Sequence, residues 1–204
     1  MKEINVLQLS DEWFELRLGK LTASKFDKLM KTPKQRLEWS DTQTAILLEC
    51  ASELLTGQRE DSFTNKAMQW GNDTEEEARS FYALTNMTTV RESGFFETSE
   101  YIGGSPDGII EGAGCLEIKC PNSKQHLKYL LDVEQLKKAY KWQALGHIFN
   151  TGLDYCDLIS FDPRFKDDSK KMVSYRYTVK EYADDLLLLI ARLDHAVEII
   201  KGWL

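Results

Sequence analysis

No long apolar run occurs in this chain. The longest, Leu186 to Ala191, is six residues, where a membrane-spanning helix needs about 20. Met1 to Lys20 also lacks the apolar core of a secretory leader, so a soluble, intracellular protein with no membrane partner is expected. Cysteine is scarce and scattered: Cys50, Cys115, Cys120 and Cys156 make no C-x-x-C pair. That argues against a zinc or iron–sulfur centre and leaves reduced thiols. His126, His147 and His195 stand at no H-x-x-x-H spacing and read as ordinary residues. Repeats, low-complexity segments and linkers are absent, so the 204 residues read as one domain, 1–204, long enough for its own core. Positive charge is short overall. The net charge of −7 argues mildly against a protein that coats nucleic acid.

Positive charge is not short everywhere. Ile118 to Trp142 holds six lysines (119, 124, 128, 137, 138 and 141) against Asp132 and Glu134. Such a strip can line a DNA channel inside an acidic chain, and a solvated face is the alternative. The five tryptophans, Trp13, Trp39, Trp70, Trp142 and Trp203, read as packing residues. Trp39, in a polar stretch, is the best candidate for stacking on a base.

The periodicity alternates between helix and strand. Ser10-Asp11-Glu12 opens a short helix that Gly19 ends. A second helix runs from Thr22–Ser24 to Met30, a polar loop covers Lys31 to Ser40, and helices follow at Thr42–Leu55 and Asn65–Leu84, the latter with a possible kink at Gly71. Thr89–Phe96, Gly103–Ile110 and Cys115–Cys120 read as strands, Val133–Asn150 as a helix, Tyr155–Phe161 and Met172–Val179 as strands, and Glu181–Leu204 as an amphipathic helix. The order predicts an α/β fold with a mixed central β-sheet flanked by helices.

Chemistry concentrates in Ser105-Pro106-Asp107-Gly108 and Leu116-Glu117-Ile118-Lys119-Cys120-Pro121. Glu111 to Gly114 can form a tight turn. Asp107 and Glu117 are each five residues from Gly112, so a hairpin centred there makes them cross-strand neighbours. Alternation puts Glu117 and Lys119 on one face, and Leu116, Ile118 and Cys120 on the other. Two carboxylates this close repel, and a divalent cation with hard oxygen ligands resolves the conflict. Lys119 is then placed to orient or deprotonate an attacking water and to offset developing charge. Taken alone, the pattern also arises by chance on solvated strands, but the apolar flanks Ile109-Ile110 and Leu116/Ile118 bury these strands and favour the functional reading.

With these residues in view, the chain resembles the lambda exonuclease and YqaJ-type viral recombinase family of the PD-(D/E)xK nuclease superfamily. Three further segments carry the resemblance: Arg17-Leu18-Gly19-Lys20-Leu21-Thr22-Ala23-Ser24, Gly71-Asn72-Asp73-Thr74-Glu75-Glu76-Glu77-Ala78 and Ala139-Tyr140-Lys141-Trp142-Gln143. The likeness spans about Trp13 to Pro163 and implies a restriction-endonuclease-like core. It implies Asp107, Glu117 and the Ile118 carbonyl as ligands of Mg2+ (Mn2+ as substitute), Lys119 as the catalytic lysine, and Glu75 as a helix glutamate reaching the metal site. It implies a pocket for the 5′-phosphate of a DNA end from Arg17, Ser24, Ser105 and Gln143. A fork of arginine hydrogen bonds and a helix start near Ser24 suit that anion. Two positions depart from the family pattern. Lys124 stands where a further phosphate-binding arginine is usual, offering a point charge without the bidentate fork. Glu97 stands where an aspartate precedes the Pro-Asp motif.

The implied activity is 5′-to-3′ exonuclease action on double-stranded DNA, releasing 5′-mononucleotides and leaving a 3′ overhang. Implied partners are DNA ends, two further copies in a ring-shaped homotrimer, and a single-strand annealing recombinase, in the cytoplasm of a bacterial host. Two rivals remain at this point: a structure- or sequence-specific endonuclease on the same scaffold, and an inactive DNA-end-binding module.

Overall fold

The computed structural model describes residues 1–32, 38–59, 66–112 and 114–204. Part of the polar loop read at Lys31–Ser40, the helix start at Asn65 and Ala113 of the turn lie outside the described residues. Among those described, the order is β1 (Lys2–Ile4), α1 (Asp11–Arg17), β2 (Leu21–Thr22), α2 (Ala23–Leu29), α3 (Asp41–Thr56), α4 (Lys66–Thr85), β3 (Val90–Arg91), β4 (Phe95–Glu97), β5 (Ile102–Gly104) and β6 (Gly108–Ile110). It continues with β7 (Gly114–Lys119), α5 (Ser123–Leu131), α6 (Val133–Thr151), β8 (Tyr155–Phe161), β9 (Met172–Thr178) and α7 (Ala183–Trp203).

The helix ends follow from local chemistry. Ser10 caps α1 by accepting from Trp13 N, and Ser40 with Gln43 forms a reciprocal box at the start of α3. Gly57 and Gly152 close α3 and α6 in the left-handed conformation. Asn122 caps α5, a helix the sequence reading passed over while treating its lysines as a strip. The helix read at Asn65–Leu84 passes through Gly71 and ends at Thr85. The helix break falls instead in α6, at Tyr140 (φ −133, ψ 17).

The fold is mixed α/β with flanking helices, as expected, but the strands divide between two sheets. One has the order β1-β4-β5-β2 and the other β3-β6-β7-β8-β9. The reason lies in two interruptions. Pro106 has no N–H for a ladder, so the stretch read as one strand over Gly103–Ile110 becomes β5 in one sheet and β6 in the other. At Gly94 an added Cβ would lie 2.1 Å from the Ile4 carbonyl, and there Thr89–Phe96 divides into β3 and β4. In the larger sheet β7 pairs antiparallel with β6 and parallel with β8, the crossover being made by α5 and α6.

Each face of the larger sheet buries a core. Cys115, Leu158 and Tyr177 pack with residues of α2, α3, α6 and α7. Leu116, Ile118, Ile159 and Phe161 pack against Ala78 and Tyr82 of α4. The Tyr82 hydroxyl donates to buried Asp157, which Arg176 also pairs at 2.7 Å, fastening α4 to the sheet. Gly146 brings α6 against α2, because a Cβ there would lie 2.4 Å from the Phe26 ring. His126 is structural: its Nε2 donates to the Lys170 carbonyl at 2.9 Å, which leaves Nδ1 to accept from Ser160 Oγ at 2.8 Å. Among the described residues no helix is long and apolar enough to cross a membrane.

Candidate active site

The hairpin of β6 and β7 has the register that symmetry about Gly112 implies: Gly108 faces Leu116 and Ile110 faces Gly114. One step before the paired ladder, Asp107 lies beside the Leu116–Ile118 stretch of β7, and its N–H donates to the Leu116 carbonyl at 2.9 Å. Leu116 and Ile118 enter the core beneath α4, with Cys120 packed beside them. Glu117 and Lys119 share the other face, toward α6. Just before the start of β6, Asp107 Oδ2 accepts from Ile118 N at 2.6 Å. N–H and C=O of one strand residue point to the same side, so the Ile118 carbonyl is directed to this strand end, beside Asp107.

Glu117 is 1% exposed, with neighbours at both oxygens. Lys119 Nζ lies 2.6 Å from Oε1, and Gln143 Nε2 donates to Oε1 at 2.6 Å. His147 Nε2 lies 2.7 Å from Oε2. That last approach is close but not aligned as a hydrogen bond, and Oε2 and both ring nitrogens are buried without a hydrogen-bond partner. His147 is thus part of the site, correcting its reading as an ordinary residue. Its one sequence signal is a place four residues after Gln143, on the same helix face.

The charges are arranged under strain. Burial alone would raise the Glu117 pKa, but Lys119 and then His147 outweigh it and hold the carboxyl at about 2. Burial pulls Lys119 down, and the Glu117 carboxylate more than reverses this, so Lys119 is an ammonium at neutral pH. Burial first, then the charges of Glu117 and Glu75, push Asp107 well above its ordinary value. Glu75 is raised too, chiefly by burial. It is held by Arg79 at 2.7 Å, and the same guanidinium donates to the Asp107 carbonyl at 2.9 Å and pairs Glu92 at 2.9 Å.

These features fit a divalent cation. Glu117 Oε2 is a buried acceptor without a donor, and Asp107 carries an unrelieved repulsion that a cation between the acids removes. Among the described residues, no three acids, histidines or cysteines converge tightly enough to form a site by themselves. The oxygens that converge here are the two carboxylates and the Ile118 carbonyl, while Glu75 is paired with Arg79.

All these groups line one cleft of about 970 Å³, which also holds Arg17, Ser24 and Ser105. Nine of the eleven positions singled out from the sequence therefore meet, Lys124 and Glu97 being the exceptions. Ser105 Oγ accepts from Trp13 Nε1 at 2.9 Å, and Ser24 Oγ lies 3.2 Å from Thr22 Oγ1 at the start of α2. Arg17 stacks over the Trp13 ring at 4.1 Å and reaches Thr22 Oγ1 at 3.4 Å. Among the described residues it makes no ion pair within 4 Å. Burial, then repulsion from Arg59, push its pKa down to about 10 against a partial offset from the Glu53 carboxylate, so it remains a cation.

Other expectations fare differently. Lys124 is exposed on α5, outside the cleft. The cleft instead contains Arg164, from the β8–β9 connection, paired with Asp162 at 2.7 Å and stacked over Trp70 at 4.3 Å. Glu97 does not line the cleft; it pairs with Lys20 at 3.1 Å. Most of the basic strip does not line this cleft: Lys137 and Lys141 pair with Glu134 and Asp185, and only Lys119 of the six is among the lining residues. Trp39 packs under Arg192 at 3.3 Å, whereas Trp13 and Trp70 reach the cleft.

Comparison with known proteins supplies an independent measure. The profile of the YqaJ-like viral recombinase domain matches residues 12–154. No curated protein matches the chain. An alkaline exonuclease from Laribacter hongkongensis, LHK-Exo, is 30% identical over 95% of this chain and 97% of its own, with a TM-score of 0.74. LHK-Exo in complex with dAMP gives 29% identity, a TM-score of 0.78 and 95% of each chain. A phage-related exonuclease from Haemophilus somnus, 17% identical over 90% of this chain and 92% of that one, shares the fold with a TM-score of 0.69. The restriction-endonuclease-like assignment stands with these structures.

Proposed function

The chain belongs to the YqaJ-like viral recombinase family and is a nuclease; on that premise we propose that it is a Mg2+-dependent 5′-to-3′ exonuclease of double-stranded DNA, releasing 5′-mononucleotides and leaving 3′ overhangs. The observation that carries this reading is the meeting, in one cleft, of the Asp107–Glu117–Lys119 group with a cationic pocket at Arg17. The dAMP in the LHK-Exo complex, a mononucleotide, supports the proposed product.

Asp107, Glu117 and the Ile118 carbonyl would hold the metal, with Mn2+ a substitute. When bound, a divalent ion supplies an acidified water and neutralises charge at the phosphoryl oxygen. The chain's own groups do the rest. Lys119, an ammonium while paired with Glu117, offsets charge developing on the phosphate; to accept a proton it would first have to leave Glu117. Arg17, with Ser24 and Ser105, binds the terminal 5′-phosphate and so counts the scissile bond in from the end. Gln143 holds Glu117, and Glu75 stands in reserve on Arg79.

A homotrimeric ring would keep an acidic protein on its substrate, and a single-strand annealing protein in the cytoplasm of a bacterial host would take up the exposed strand. Linear duplex with 5′-phosphate or 5′-hydroxyl ends, and covalently closed circles, each with magnesium or chelator, test the reading. Mononucleotides from phosphorylated ends, with circles intact, are expected. Cutting of circles would favour the endonuclease rival, and absence of any digestion would favour an inactive end-binding module.

A further inference from the structure

The half of α6 beyond Tyr140 faces both Glu117 oxygens, Gln143 donating to Oε1 and His147 Nε2 standing 2.7 Å from Oε2. His147 is 2% exposed, yet neither ring nitrogen has an aligned hydrogen-bond partner. A histidine kept for packing satisfies its nitrogens, as His126 does. An unsatisfied imidazole against an unsatisfied carboxylate oxygen is a contact that a small shift of the carboxylate completes.

Presentation of that imidazole depends on the break in the helix. The non-helical backbone at Tyr140 makes α6 restart, and a restarting helix exposes its first N–H groups. Asp27 of α2 accepts two of them, from Trp142 at 3.0 Å and Gln143 at 3.1 Å. Gly146, in the same turn as both side chains, lets α2 come close enough to do this.

We propose that His147 is a positioning residue that fixes the Glu117 carboxylate for the divalent ion, and that Asp27 acts through the same half-helix by anchoring its restart. The inference rests on the nuclease reading of the cleft. Ligands oriented by a second group typically lose roughly 10–100-fold in metal affinity when that group is removed.

The test is Mn2+ titration of the full chain followed by electron paramagnetic resonance, with metal-free melting and DNA kinetics alongside. His147→Leu should weaken Mn2+ binding roughly 10–100-fold, lower kcat, leave KM for DNA ends unchanged and not lower the metal-free Tm. His147→Gln, whose amide can reach Oε2, should restore most of the affinity. Asp27→Ala should weaken Mn2+ binding more than Asp27→Asn, which keeps one of the two acceptor oxygens. If His147→Leu does not fold, His147→Asn, which stops short of Oε2, must show the same loss. Mn2+ binding by the leucine variant as tight as wild type, or equal loss in the glutamine variant, overturns the proposal. Wild type that neither binds Mn2+ nor digests DNA would overturn the nuclease reading itself; wild type that does both, with unaltered His147 variants, removes only this inference.

Discussion

Replacing Asp107 by asparagine should stabilise the metal-free protein and abolish its response to metal. Burial, and then the charges of Glu117 and Glu75, raise the Asp107 pKa well above its ordinary value. Such a group binds its proton more tightly folded than unfolded. Its ionisation therefore costs stability as pH rises from the unfolded value of about 3.9 through the folded one. Cross-strand side chains lie roughly 5 Å apart, and like charges at that separation repel by about 3 kcal/mol at an effective dielectric of ~20. Lys119, 2.6 Å from Glu117, and the partial exposure of Asp107 reduce this to about 1–2 kcal/mol. Asparagine keeps the shape, and its carbonyl can accept from Ile118 N as Asp107 Oδ2 does now. At this chain length each kcal/mol moves Tm by about 2–4 °C. With chelator at about pH 8, Asp107→Asn should melt about 2–8 °C above wild type, the gap closing toward about pH 4. Magnesium or manganese should raise Tm for wild type alone. A variant that melts no higher than wild type across this range, or that gains equally from metal, refutes the reasoning.

Lys119→Ala should lower kcat by roughly 10²–10⁴-fold in single-turnover digestion while fluorescence anisotropy still reports DNA-end binding. Arg17→Ala removes charge-assisted hydrogen bonds worth about 1.5–3 kcal/mol, so kcat/KM on 5′-phosphorylated ends should fall roughly 10–100-fold. Digestion of 5′-hydroxyl ends should be unchanged, and an equal loss on both would place Arg17 elsewhere in the mechanism. Gly146→Ala puts a methyl 2.4 Å from the Phe26 ring, an overpacking cost of about 1–3 kcal/mol that a helix-propensity gain of about 1 kcal/mol only partly offsets. Urea denaturation should show the net loss.

The hairpin was legible because everything it needs is local. Five residues on each side of Gly112 set the pairing of Asp107 with Glu117, and alternation sorted Glu117 and Lys119 from Leu116 and Ile118. Ser10 marked a helix start for the same reason, and Gly57 and Gly152 stop helices through their own left-handed backbone. The two-sheet division was less legible, because Pro106 and Gly94 interrupt stretches whose composition still reads as strand. The break in α6 left no local mark at all. Its acceptor, Asp27, comes from α2, more than a hundred residues earlier, and the periodicity on either side of Tyr140 stays helical. His147 was passed over because its partner lies on a different element, and Arg164 because it enters the cleft from the connection between β8 and β9. Lys124 and the rest of the basic strip lie outside the cleft for the converse reason: sequence neighbours on a helix point around its axis, and only Lys119, on a strand, faces the cleft.

The central claim is that a strand end places two acids and an ammonium around one divalent ion. A crystal of the full chain soaked in manganese, with anomalous diffraction recorded above the manganese edge, examines it directly. A single strong peak bonded to Asp107, Glu117 and the Ile118 carbonyl, within reach of Lys119, is the predicted result. A fully occupied peak elsewhere, with those carboxylates unengaged, would contradict it.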